Sequence, residues 1–177
     1  MTQPGEPGLR AEDGLRMELL ARVDRDQQAR EALGPAPGAE EWARVTAVDA
    51  DNTRWIMAVI DEREWPGRSM VGEDGATAAW LLVQHAPLEE QMRALPSLVM
   101  AVARGEAAFR DLAWLLDRVR MRLQIPQIFG SQFTRDKADD PWELYRMEQP
   151  EAAVDALRAA IGVGPVEATR RILKPDA

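Results

Sequence analysis

Cysteine is absent from this 177-residue chain, and histidine and tyrosine occur once each. Without thiols there are no disulfides, no thiolate nucleophile and no cysteine-based zinc site. With His85 as the one imidazole there is no HExxH and no Glu-x-x-His pair, so neither a metal nor a cofactor is expected. No run approaches the roughly 18 apolar residues of a membrane helix, and the polar N-terminus has no signal-peptide pattern. These omissions point to a soluble, cytoplasmic protein. Positive charge is also short. Lys and Arg total 22 against 30 Asp and Glu, a net charge of -8, which disfavours general nucleic-acid binding. The glycines between Gly67 and Gly75 lack phosphate-cradling spacing. Ser69, Ser97 and Ser131 lie outside any Gly-x-Ser-x-Gly elbow, which weakens a Ser-His-Asp reading.

What is present is mostly helical pattern. Residues 1–11 are rich in Pro and Gly and are expected to form a disordered tail. Residues 12–177 are expected to form one helical domain, a mainly α bundle of about six to seven helices with a β-hairpin near 125–148. Leu15, Leu19 and Val23 mark a first helix from Glu12 to about Leu33, and Gly34 to Gly38 break it. A second runs from Glu40 to Arg63 and ends before Pro66. Thr77 is placed to cap a third, carrying Leu81, Leu82 and His85. A fourth begins at Pro87 and stops at Gly105, with Pro96 kinking or restarting it. Glu106 to Leu123 reads as a fifth, with Phe109, Leu112, Ala113, Leu116 and Leu123 as its core face. Gln124 to Phe133 reads as extended, and Pro141 to Glu148 as a strand pairing back. Helices over Ala152–Ile161 and Val166–Leu173 follow.

Several polar residues fall on apolar faces. On a helical wheel Asp49 and Asn52 share the face of Val45, Val48, Ile56, Val59 and Ile60. His85 shares one with Leu81 and Leu82, Gln91 lies on the stripe of Leu88 and Leu95, and Asp117 sits at the edge of the fifth helix's core face. Burying a carboxylate costs several kcal/mol unless it is paired. Such residues therefore close a structural hydrogen-bond network or line a cavity. Arg22, Asp26 and Arg30 form a second stripe on the first helix, either a solvated ion-pair ladder or an ion-pair edge facing a pocket. Trp65, Trp80, Trp114 and Trp142 are core and edge residues, or they wall an apolar pocket with Trp65 as a lid.

Several of these pieces together resemble a known family. They are Arg22 with Asp26-Gln27 and Arg30; Asp49 with Asn52; Glu62 with Trp65-Pro66; Val71-Gly72; Ala79 to Ala86 with Gln91; Gly105-Glu106; Asp117-Arg118; and Gln127-Ile128-Phe129-Gly130-Ser131-Gln132. Over residues 15 to 165 the chain resembles the bacterial family catalogued as domain of unknown function 6624. That resemblance speaks to the fold. It implies no activity.

Two classes of function fit. The first is a cofactor-independent small-molecule enzyme with a His/carboxylate acid–base site. His85 moves the proton, Asp49 or Asp117 orients it, and the reaction is hydrolysis, or cyclisation or elimination with loss of an anionic leaving group. Substrate contacts are expected from Arg22, Asp26, Asn52, Glu62, Trp65, Trp80, Gln84, Gln91, Arg118, Gln127 and Gln132. The second is a non-catalytic helical binding or regulatory protein in which the same residues form a structural network. The expected partner is a small molecule, not nucleic acid or membrane, and a protein partner or homodimer stays open.

Overall fold

The computed structural model describes residues 11–34, 36–135 and 140–173. The expected tail, apart from Ala11, lies outside these. Among the described residues there are seven helices: α1 (Ala11–Glu31), α2 (Ala39–Arg63), α3 (Arg68–His85), α4 (Leu88–Ala103), α5 (Phe109–Arg122), α6 (Glu151–Ala160) and α7 (Val166–Leu173). Two short antiparallel strands, β1 (Phe133–Thr134) and β2 (Glu143–Leu144), pair Phe133 with Leu144. No described helix is long and apolar enough to cross a membrane. The chain divides into two compact units, Met1–Leu82 and Val83–Ala177, the division falling in the last turn of α3.

In the first unit α1 packs on α2. Leu19, Val45, Ile56, Met57 and Ile60 are buried, each stabilising by roughly 1.5–3 kcal/mol. The α2 N-terminus is closed by Glu41, whose carboxylate accepts the Gly38 amide at 2.6 Å. At its other end Glu64 takes a positive φ of 63° ahead of Pro66. The third helix starts nine residues before Thr77. Thr77 is not its cap: its hydroxyl donates to the Glu73 carbonyl at 3.0 Å, inside the helix. What looks like a loop in the sequence is a helical turn followed by a break at Gly72, at φ 74° and ψ 174°. Only glycine adopts that geometry without strain. Gly75 fits for a different reason, since a Cβ there would lie 2.8 Å from the Val71 Cβ. Arg16 Nε on α1 donates to Asp74 Oδ1 at 2.9 Å and ties this bend to the first helix.

In the second unit α4 packs on α5 and α6 on α7. Pro87 is the cap of α4 and not its first residue, and α4 runs through Pro96 as one helix. Gly105 stops it at φ 75°, and the Glu106 amide returns to the Ala101 carbonyl at 2.8 Å. The core faces differ from expectation. Gln91, Ala94, Leu98 and Ala101 are buried on α4, while Met92, Val99 and Met100 are exposed. On α5 the buried residues are Asp111, Ala113, Leu115, Asp117 and Val119, while Phe109 and Leu123 are exposed. At 100° per residue these fall on two stripes, Asp111/Leu115/Val119 and Ala113/Asp117, with the Phe109/Leu112/Leu116 face between them. The sequence supplies α5 with more apolar surface than the core takes. The expected extended stretch is also mostly a loop. Gln127 makes one parallel bridge with Met147, and residues 128–132 then turn back before β1.

Candidate functional site

Two polar constellations stand out, one in each unit. The first is a ladder between α1 and α2. The Arg22 guanidinium donates through Nη1 to Asp51 Oδ2 at 2.8 Å and to Asn52 Oδ1 at 3.1 Å. Its plane lies over Trp55, 4.5 Å from the ring centroid. One helical turn on, Asp26 is only 1% exposed. It accepts from Gln27 Nε2 at 3.0 Å and pairs with Arg30 at 3.3 Å. The same Arg30 Nη2 reaches Asp49 Oδ1 at 2.7 Å. One guanidinium thus joins a carboxylate of α1 to one of α2. Asn52 is 3% exposed, and its Nδ2 has no partner among the described residues. Hydrogen bonding from Arg22, partly offset by desolvation, holds the Asp51 carboxyl below its ordinary value, with Arg54 adding to the effect. The solvated-ladder reading of Arg22 and Asp26 is therefore corrected: both are buried. Asp51 and Trp55 were not read as part of this group; the Asp51–Arg54 spacing of three was the available signal.

The second constellation is built on Asp117, which is fully buried. Oδ1 accepts from the amides of Ile128 at 2.7 Å and Phe129 at 3.1 Å. Oδ2 accepts from the Phe129 and Ser131 amides, each at 3.1 Å, and from the Ser131 hydroxyl at 2.9 Å. Asp117, expected beside His85, thus turns its carboxylate to segment 128–131. Gln127 closes the same loop from inside. Its Nε2 donates to the carbonyls of Gln132 and Tyr145, and its Oε1 accepts the Gln132 amide at 2.8 Å. Gln132 Nε2 donates in turn to the Ser131 hydroxyl at 3.0 Å. Gly130 makes the turn possible: its φ is 62°, and a Cβ there would meet Val166 Cγ2 at 2.9 Å.

Arg158, absent from the expected site, secures the loop from outside. It is 1% exposed and lies 5.1 Å from the Trp114 ring centroid. Nη1 donates to the carbonyls of Phe129 at 2.9 Å and Gly130 at 3.3 Å, Nε to Gly164 at 2.6 Å, and Nη2 to the Thr169 hydroxyl at 2.9 Å. Burial pushes this guanidinium below its ordinary value, and Asp155 and Asp117 pull it back. An arginine on the α6 stripe with Val154 and Ile161 was the legible signal.

Of the other candidates, Glu62 is exposed, and Trp65 is buried in its loop with Pro66 and Gly67. The Trp65 indole Nε1 has no partner among the described residues. Trp80, His85 and Arg118 are half-buried. Gln91 is fully buried and serves the C-terminal end of α3. Its Nε2 donates to the Gln84 carbonyl at 2.8 Å, and Arg122 donates to that of Ala86 at 2.9 Å. Gln84 is itself buried, with its Oε1 lacking a partner among the described residues. The lining of the apolar groove on α4 and α5 is Phe, Met, Leu, Val and Pro, with no tryptophan.

Seven helices, a buried α1–α2 ladder and an aspartate-held turn define a mainly α-helical protein with polar groups set inside it. The chain belongs to the family of unknown function DUF6624, which matches it over residues 13–177. No curated protein and no solved structure matches it.

Proposed function

We propose that this is a cofactor-independent small-molecule enzyme whose acid–base groups lie on the α1–α2 ladder. The observation that carries the reading is the buried Asp26, joined through Arg30 to Asp49. A carboxylate held out of water costs several kcal/mol unless paired. Here the pairing cation is shared between two carboxylates, and the amide of Asn52 beside them has an unused donor. In this reading Asp26 or Asp49 takes the proton, Arg22 and Arg30 hold an anionic group, and Asn52 binds a polar one. Hydrolysis fits these groups. So does intramolecular cyclisation or elimination with an anionic leaving group, in a soluble, cytoplasmic enzyme of bacterial specialised metabolism. His85 is the other candidate for proton transfer, as the one imidazole of the chain and half-buried.

The test is turnover of p-nitrophenyl acetate, for hydrolysis, and of 4-bromobutyrate, for cyclisation with loss of bromide. Asp26→Asn is expected to slow the accepted reaction by about 100-fold while the protein still melts cooperatively. Turnover by wild type no faster than buffer, or undiminished in Asp26→Asn, would sink the reading. A non-catalytic binding or regulatory protein is the second reading. Its support is that Gln91, Asp117 and Gln127 are fully buried and engage backbone groups. Wild type that is inert in both assays yet gives a saturable heat of binding to a small molecule would favour it.

A further inference from the structure

The Asn52 side chain is buried on the α1–α2 ladder, and its Nδ2 has no acceptor among the described residues. We propose that this site takes a substrate with a carbonyl group, an ester or an amide, and that Asn52 Nδ2 is the donor to the carbonyl oxygen. The proposal rests on the acid–base reading above and names the substrate class that reading leaves open.

The partner of Asn52 decides which end of its amide is left over. The oxygen and nitrogen of a carboxamide have nearly the same shape, and their hydrogen bonds tell them apart. A guanidinium has donors and no acceptor. The end that meets Arg22 Nη1 at 3.1 Å is therefore the oxygen. Arg22 is itself held in place. The same Nη1 donates to Asp51 Oδ2 at 2.8 Å, and the guanidinium lies 4.5 Å from the Trp55 ring centroid. With Oδ1 fixed on Arg22, Nδ2 is the end that stays unmatched.

A buried donor without an acceptor is destabilising and calls for an explanation. A donor fixed before the substrate arrives is also what stabilises charge that develops on an oxygen. Nδ2 is neutral, so its complement is a neutral acceptor that turns negative only during reaction. A carbonyl oxygen meets that description, and the carbon bearing a halide in a cyclisation carries no such oxygen. The bases stand on the same ladder. Asp49 precedes Asn52 by one turn on the same face of α2, and Arg30 joins it to Asp26. Water adds to the carbonyl carbon while Asp26 or Asp49 takes one of its protons. The carbonyl oxygen gains its charge against Nδ2. The bond to the ester oxygen or amide nitrogen then breaks, and the leaving group departs with that proton.

The test uses the full chain with p-nitrophenyl acetate and with p-nitroacetanilide, its slowly reacting amide. Asn52→Asp keeps the shape and the oxygen that Arg22 meets, and removes only the donor. Asn52→Ala removes both. In each, kcat for the ester is expected to fall about 100-fold with KM within about twofold, because the donor acts as charge develops. In wild type the Asn52 side-chain NH2 signals of a 15N spectrum are expected to shift saturably with p-nitroacetanilide. Signals that ignore the anilide and show a long-lived water instead overturn the proposal. So does an unchanged kcat in both variants while Asp26→Asn is slow, an outcome that leaves the acid–base reading standing. A wild type that is inert toward the ester, yet whose Asn52 signals shift saturably, keeps the carbonyl contact and sinks the acid–base reading.

Discussion

Both carboxylate oxygens of Asp117 lie 3.1 Å from the amide nitrogen of Phe129. One N–H is shared between two acceptors, and each oxygen also serves a neighbour, Ile128 on one side and Ser131 on the other. A residue on a helix thereby organises a turn more than ten positions away. Asp117→Ala orphans three amides, two of them buried, and is expected to cost about 3 kcal/mol, with Asp117→Asn intermediate at about 2 kcal/mol. Urea unfolding of the two variants checks this. A loss under about 1 kcal/mol for the alanine variant would mean that water replaces the carboxylate.

Gly130 tests the same turn from the backbone. An alanine there would have to hold a φ of 62° and press against Val166, Met147 and Val154. Gly130→Ala is expected to destabilise by about 2–3 kcal/mol. Gly105→Ala shares the positive φ but meets nothing within 4 Å. It should cost only about 1 kcal/mol. The difference between the two thermal midpoints isolates the steric part.

Arg158→Met keeps much of the side-chain volume and removes every donor. The carbonyls of Phe129, Gly130 and Gly164 then lose their buried partner. A loss of about 3 kcal/mol is expected. Because the guanidinium sits over the Trp114 ring, the near-ultraviolet circular dichroism of tryptophan should change in the native baseline. An unchanged baseline would place the stacking outside solution structure.

Glu151 provides a pH test. Hydrogen bonds from Arg170, partly offset by desolvation and aided by its charge, hold this carboxyl below its ordinary value. The folded state therefore binds its proton less readily than the unfolded chain. The stabilisation is complete above the unfolded value and is lost as the pH falls through the folded one. With the Glu151 side chain 37% exposed, the effect is limited to about 0.5–1 kcal/mol. Glu151→Gln should be less stable than wild type by that amount at neutral pH, and equal to it near about pH 3. A gap that persists in acid would assign the loss to packing.

Helix positions were legible because caps and breakers are local. Gly38, Gly105 and the Gly162 turn end or open helices where the sequence places them. Gly72 was misread because a one-residue break inside a helix and a glycine loop share the same letters. The α5 core face was misread for a different reason. Phe109, Leu112 and Leu116 form the best apolar stripe, but α4 and α5 together carry more such surface than the core takes. Among the polar candidates, the wheel found Asn52, Gln91 and Asp117 because burial follows face. It could not say what they bind, since the partners of Asp117 and Gln127 are backbone groups, which have no signature in the sequence. Arg158 escaped because its acceptors are carbonyls 28 and 29 residues away.

That separation also sets an order of assembly on the ribosome. The carbonyls of Phe129 and Gly130 are synthesised well before the guanidinium that takes them up. Until α6 and α7 have emerged, the turn has neither Arg158 nor the Val154 and Val166 side chains that pack against Gly130. A nascent chain halted between these points carries an unfinished turn and an uncovered apolar surface, the condition in which chaperones are engaged. The yield of this protein should therefore respond to how fast the stretch from 130 to 166 is translated, even when not one amino acid is altered.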